Sequence, residues 1–148
     1  MTTTQGVVDL FIVEDNPHDL ELILRALKKG QIETHMEVAK DGVEALDFVF
    51  CRGRYAERAA AQVPKVILLD HKLPKVDGME VLRQIKSDKW LKVIPVVMLT
   101  SSQQERDILE SYNLGVNSYI VKPVDYSKFS ETIAHLGRYW LLLNQTSR

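Results

Sequence analysis

Apolar runs of four to seven residues, rich in β-branched side chains, alternate along this chain with segments whose apolar positions recur every three or four residues. Residues 7–13 (VVDLFIV) read as a strand; Leu20, Ile23, Leu24 and Leu27 then mark one helical face, closed by Gly30. Residues 36–39 form a weaker strand, Asp41 and Gly42 a turn, and Val43, Leu46, Val49 and Phe50 the next helical face. Residues 65–70 and 94–100 have the continuous apolarity of buried strands, and helical patterns follow them over 79–86 and 103–114. A short strand at 118–121 and a last helix from about 127 to the early 140s complete five βα units. Strict βα order demands right-handed crossovers that lay helices over both faces of a parallel sheet, so a doubly wound α/β sandwich is expected. The stretch 53–64 is long for an αβ connection and reads as an insertion whose alanines allow a helical turn.

Composition narrows this picture without redirecting it. A chain of 148 residues, 45% hydrophobic and 26% charged, suits a single domain over 1–148, with a core over about 8–138 and a carboxyl-terminal extension over 139–148. A formal net charge of −1 offers no bulk attraction to nucleic acid or anionic membrane, and no basic stripe or helix-turn-helix is evident. The lone Cys51 has no thiol partner for a disulfide, a redox pair or a zinc site. No apolar run approaches the ~20 residues of a membrane helix, and residues 1–6 lack signal-peptide character. A cytoplasmic protein that binds neither nucleic acid nor membrane is expected.

Chemistry concentrates where the strands end, which is where doubly wound sheets bind their ligands. The first strand ends in Glu14-Asp15, the third in Asp70 and the fourth in Thr100-Ser101, while the fifth is followed by Lys122-Pro123. Taken singly, each has an ordinary explanation: Glu14-Asp15 and Thr100-Ser101 as helix caps, Asp70 as a turn former, Lys122 as a solvated lysine, Tyr119 as a packed strand aromatic. If these strands are neighbours, two or three carboxylates, a hydroxyl and an ammonium meet at one edge, and acids so close need a cation. Oxygen ligands on loops suit magnesium, Mg2+, which also accepts phosphate oxygens. The pattern points to phosphoryl chemistry.

The acidic pair Glu14-Asp15, Asp70 with Leu73-Pro74 and Asp77-Gly78, Thr100, and Lys122-Pro123 together resemble the signature of the receiver domains of bacterial two-component response regulators. The resemblance runs from Val8 to about Arg138. It implies a flavodoxin-like five-stranded fold and a signalling protein, not a turnover enzyme, which accepts a phosphoryl group from a sensor histidine kinase onto Asp70. It further implies that Glu14, Asp15, Asp70 and the backbone carbonyl of Lys72 hold Mg2+, and that Thr100 and Lys122 meet the phosphoryl oxygens. Thr100 and Tyr119 would form the switch that reshapes the face made by the fourth helix, fifth strand and fifth helix. Lys72 departs from the family pattern, which commonly has a neutral residue there; its side chain either faces solvent or reaches the phosphoryl group. The insertion, the run 91–97 and the tail around Tyr139-Trp140 are similar to phytochrome-associated response regulators, which implies a bacteriophytochrome as the kinase and a homodimer. Two alternatives stand beside this reading. One is a phosphatase of the haloacid dehalogenase type, disfavoured because Lys72 occupies the place of its second aspartate. The other is a phosphoryl shuttle or sink within a phosphorelay.

At the carboxyl end, Phe129, Ile133, Leu136, Trp140 and Leu143 recur at steps of four and three, a stripe suited to the chain's own sheet. Tyr139, Leu141 and Leu142 are left around it, and burying one such side chain is worth roughly 1.5–3 kcal/mol. Tyr139, Trp140, Leu141 and Leu142 are therefore expected to form the interface of a two-fold dimer.

Overall fold

The structure is a computed structural model describing residues 8–59, 62–101, 103–122 and 126–143, with side chains as far as Leu141. Strands β1 (Leu10–Val13), β2 (Met36–Ala39), β3 (Val66–Leu69), β4 (Val96–Thr100) and β5 (Ser118–Val121) form one parallel sheet in the order β2-β1-β3-β4-β5. Helices α1 (Pro17–Lys29), α2 (Gly42–Val49), α3 (Gly78–Ser87), α4 (Glu105–Asn113) and α5 (Tyr126–Gly137) follow the strands in turn. This is the doubly wound, flavodoxin-like arrangement that the βα alternation implies. The winding reverses after β2, so β1 and β3 flank the crevice where such sheets take ligands.

Strand periodicity divides the core in two. Phe11, Val13, Ile67, Leu69, Val96 and Met98 face a cluster built with α2 and α3. Leu10, Ile12, Leu68, Val97 and Leu99 face the opposite cluster, built with α1 and α5. Burial on both faces is why β1, β3 and β4 read in the sequence as unbroken apolar runs.

The insertion after α2 is a pinned cover. Its ordered turn is a 3-10 helix at Gly53–Tyr55, ahead of the alanines. Phe48 of α2 stacks on Phe11 at 4.2 Å between ring centroids, and Tyr55 meets Phe48 edge-on at 5.1 Å. The Arg58 guanidinium lies 3.9 Å from the Phe48 ring and donates to the carbonyls of Phe48 and Gln62 and to Cys51 Sγ. Long connections need such internal bonding to remain folded against a domain.

The loop from Asp70 to Asp77 is gripped by the first residues of two helices. Gly42 N–H donates to the Pro74 carbonyl and Gly78 N–H to that of His71. A Cβ on Gly42 would lie 1.9 Å from the Val76 carbonyl oxygen, and one on Gly78 would lie 2.0 Å from that of Asp70. Only a residue without a side chain lets backbone meet backbone so closely.

The tail corrects one expectation. Beyond Gly137 the chain continues as a π-helical segment, Arg138–Leu143, whose i→i+5 bonding takes one more residue per turn than an α-helix. The stripe is therefore carried past Trp140, and Leu141 becomes the residue buried in the α1/α5 core, with Trp140 packed partly beside it. Leu141 is not an outward interface residue. Tyr139 stays 50% exposed, while the side chains of Leu142 and Leu143 lie outside the described residues. Among the described residues, no helix is long and apolar enough to cross a membrane.

Candidate functional site

Glu14, Asp70 and Lys122 each follow immediately on the last residue of a strand. They continue the parity of Ile12, Leu68 and Ile120, whose side chains belong to the α1/α5 side of the sheet. Thr100, the last residue of β4, has the parity of Met98, on the opposite side. Tyr119 pairs with Met98, and Thr100 with Val121, so Thr100 and Tyr119 lie on one face of adjoining strands. The site thus spans the sheet's carboxyl edge, with the acids and the lysine on one side and the hydroxyl and the phenol on the other.

Distances confirm the convergence. Lys122 Nζ donates to Glu14 Oε1 at 2.8 Å and to Asp19 Oδ2 at 2.8 Å, and lies 3.4 Å from Asp70 Oδ2. One carboxylate oxygen each from Glu14, Asp15 and Asp70 fall within 4.8 Å of one another. Asp70 Oδ1 accepts the His71 N–H at 2.8 Å. Glu14 is only 2% exposed and Asp70 is also buried, whereas Asp15 opens to solvent.

The ordinary duties of these residues are discharged by others. Asn16 caps α1, accepting from the N–H groups of His18 and Asp19. Asp77 caps α3 through the Met79 N–H, and α4 begins after Gln104 with no side-chain cap bond. Glu14-Asp15 and Thr100-Ser101 are therefore not helix caps.

Electrostatics describe what the pocket favours. Burial pushes the Glu14 carboxyl up to about 7, even with Lys122 bonded to it, and the Asp70 charge adds to the rise. Burial also works against the Lys122 ammonium, but the Asp19 and Glu14 carboxylates outweigh it and hold that pKa above the ordinary lysine value. One ammonium faces the carboxylates of Glu14, Asp19 and Asp70, and Asp15 adds a further acid beside Glu14 and Asp70. A hard dication taking oxygen ligands is the species that balances such a pocket.

Sequence reasoning missed two participants. Asp19 lies in the first turn of α1, which starts at the strand end and turns this carboxylate back toward Lys122. His71 is a largely buried ring between Asp77, 3.5 Å from Nε2, and Asp107 of α4, 3.8 Å from Nδ1. Its Nδ1 has no hydrogen-bond partner among the described residues. The Lys72 side chain, in contrast, is exposed and forms no ion pair among the described residues.

A five-stranded parallel sheet with this acid, hydroxyl and lysine constellation defines a class, and the sequence profile of the response regulator receiver domain matches residues 10–134. The chain belongs to that family: it is a receiver, a phosphoryl-accepting signalling domain, and the haloacid dehalogenase alternative falls with that assignment. Within the family it is 37% identical over 132 residues to the response regulator Rcp1 of Synechocystis, covering 89% of this chain and 88% of that one. The phosphorylated cyanobacterial phytochrome response regulator RcpA superposes with a TM-score of 0.87 at 39% identity, covering 96% of this chain and 99% of that one. The bacteriophytochrome response regulator AtBRR is 51% identical with a TM-score of 0.74, covering 94% and 99%. Rcp1 has also been seen with Mn2+ bound.

Proposed function

We propose that this chain acts as a cytoplasmic response regulator whose Asp70 accepts a phosphoryl group from a sensor histidine kinase of the bacteriophytochrome type. The observation that carries this reading is the convergence of Glu14, Asp15, Asp70 and Lys122 at the carboxyl edge of the sheet, one strand from Thr100. Similarity to RcpA and AtBRR supports the class of kinase.

An Asp70 carboxylate oxygen attacks the phosphorus of a phosphohistidine; the O–P bond forms as the P–N bond breaks, and its electron pair stays with the imidazole. Glu14, Asp15, Asp70 and the Lys72 carbonyl would hold Mg2+, which when bound supplies positive charge to the acids and to the equatorial phosphoryl oxygens. Lys122 offers N–H donors to one phosphoryl oxygen and Thr100 its hydroxyl to another. Tyr119, on the same face as Thr100, follows the hydroxyl inward, and the α4–β5–α5 surface is repacked. The output is a changed protein surface, not a released product.

Incubation with a bacteriophytochrome kinase, ATP and Mg2+ is expected to add one alkali-labile phosphoryl group per chain, and EDTA to abolish the transfer. Transfer untouched by EDTA, or turnover of a generic phosphate ester without stoichiometric label, would overturn the reading. Equal transfer rates from unrelated histidine kinases would remove the bacteriophytochrome assignment alone.

A homodimer belongs to the same proposal. Tyr139 is exposed and lines a groove of about 650 Å³ together with Lys128, His135 and Trp140. Leu109 and Tyr112 are exposed on α4. Tyr139→Glu places a charge on this surface while leaving Leu141 in its core, and is expected to weaken the dimer at least about tenfold, by roughly 1.4 kcal/mol or more. Light scattering checks this; a parent protein that is monomeric at micromolar concentration, phosphorylated or not, refutes the dimer.

A further inference from the structure

Lys122 is bonded to a carboxylate that no metal-holding role explains. Among the described residues, the acids placed to share an ion are Glu14, Asp15 and Asp70; Asp19 is not among them, yet it lies 2.8 Å from the Lys122 ammonium, as near as Glu14 does. Its place is set by a helix and not by a loop. Asn16 Oδ1 accepts the Asp19 N–H at 3.1 Å, which fixes Asp19 in the first turn of α1, where a carboxylate also suits the helix dipole.

Resting on the metal and phosphoryl reading above, we propose that Asp19 is a positioning residue that keeps the Lys122 ammonium beside the site when a dication takes Glu14 and Asp70. An ammonium has three N–H donors, and in this structure they face three carboxylates. A dication and that ammonium compete for the oxygens of Glu14 and Asp70. Without another partner, Lys122 must either oppose the metal or withdraw toward solvent. Asp19 removes that choice, because its charge-assisted bond is available in both states. Once anchored there, the ammonium keeps its remaining donors for a phosphoryl oxygen. Divalent-cation affinity therefore depends on Asp19 by way of Lys122, beyond the bulk effect of one added negative charge.

Calorimetric titration of the full chain with Mn2+ at fixed ionic strength tests this in the parent, Asp19→Asn, Lys122→Met and the double variant. Asp19→Asn is expected to weaken Mn2+ binding about tenfold in the parent background and less than about twofold when Lys122 is Met, where only a screened charge effect remains. A second readout is the 15N signal of the Lys122 ammonium in Mg2+, expected to be protected from exchange in the parent, lost in Asp19→Asn and restored in Asp19→Glu. Unchanged affinity in Asp19→Asn, or an equal loss in both backgrounds, overturns the role given to Asp19. Asp15→Asn separates the two levels. If it leaves Mn2+ binding intact, the metal reading fails and this inference with it; if it abolishes binding while Asp19→Asn has no effect, this inference alone fails.

Discussion

Asp70→Asn is expected to remove the phosphoryl label entirely while the protein stays folded. The substitution keeps shape and burial but exchanges a nucleophilic carboxylate for an amide. It also takes one negative charge out of a pocket where three acids share the Lys122 ammonium. Folding should therefore be unharmed, because the lost attraction to Lys122, at 3.4 Å the longest of its three contacts, is offset by relief of repulsion from Glu14. Intact-mass measurement after incubation with a phosphodonor checks the first half of this expectation, and a circular-dichroism melt the second. A label that persists on Asp70→Asn assigns the chemistry to another residue.

Gly78→Ala is expected to cost the fold heavily in stability. The new Cβ would stand 2.0 Å from the Asp70 carbonyl oxygen and 2.6 Å from that of His71. Neither atom is the end of a flexible side chain, so relief requires α3 to move away from β3 or the loop to give up the Gly78 N–H bond to His71, which is 2.7 Å long. Overpacking of this kind costs about 3 kcal/mol. For a chain of this size that is a fall of roughly 6–12 °C in melting temperature. A melt within about 2 °C of the parent would show that the loop yields more easily than its hydrogen bonds suggest. Since the same loop carries Asp70, phosphorylation should slow even in the molecules that remain folded.

How far the structure could be read in the chain follows from which forces act locally. The strands β3 and β4 were legible because burial on both faces writes an unbroken apolar run, and Ser118–Val121 because its neighbours are polar. Glu14, Asp70, Thr100 and Lys122 were legible as strand-end residues, since a parallel sheet brings those ends together whatever the loops do. Asp19 was not. Its spacing from Asp15 is compatible with any helix direction, and only the packing of α1 against α5 aims its carboxylate at a lysine 103 positions away. The contact of His71 with Asp107 was hidden for the same reason, being a meeting of a loop with a helix that follows a different strand. The tail misled because a 3.6-residue period was extended through Arg138–Leu143, where an i→i+5 segment shifts the buried position from Trp140 toward Leu141. The insertion does hold a helical turn, at Gly53–Tyr55, while Ala60 and Ala61 lie outside the described residues; the anchoring of Arg58 on the Phe48 ring was not legible in the sequence.

The placement of the two tryptophans gives the molecule a divided ultraviolet emission. Trp90 is 74% exposed beside the 3-10 turn Leu91–Val93 that leads into the start of β4, with the Lys89 ammonium 5.2 Å from its ring. It emits as a solvated indole, open to collisional quenchers. Trp140 is half-buried beside Leu10, Val66 and Ser118, the first residues of β1, β3 and β5, with Tyr139 edge-on at 5.0 Å. Both indoles therefore sit toward the end of the sheet opposite the acids, and the intrinsic signal is insulated from cation binding itself. A change in the seating of Arg138–Leu143 around Trp140 would alter the Trp140 signal. Substituting Trp90 with Phe leaves a single tryptophan, and the chain then carries its own optical gauge of whether that last segment is docked.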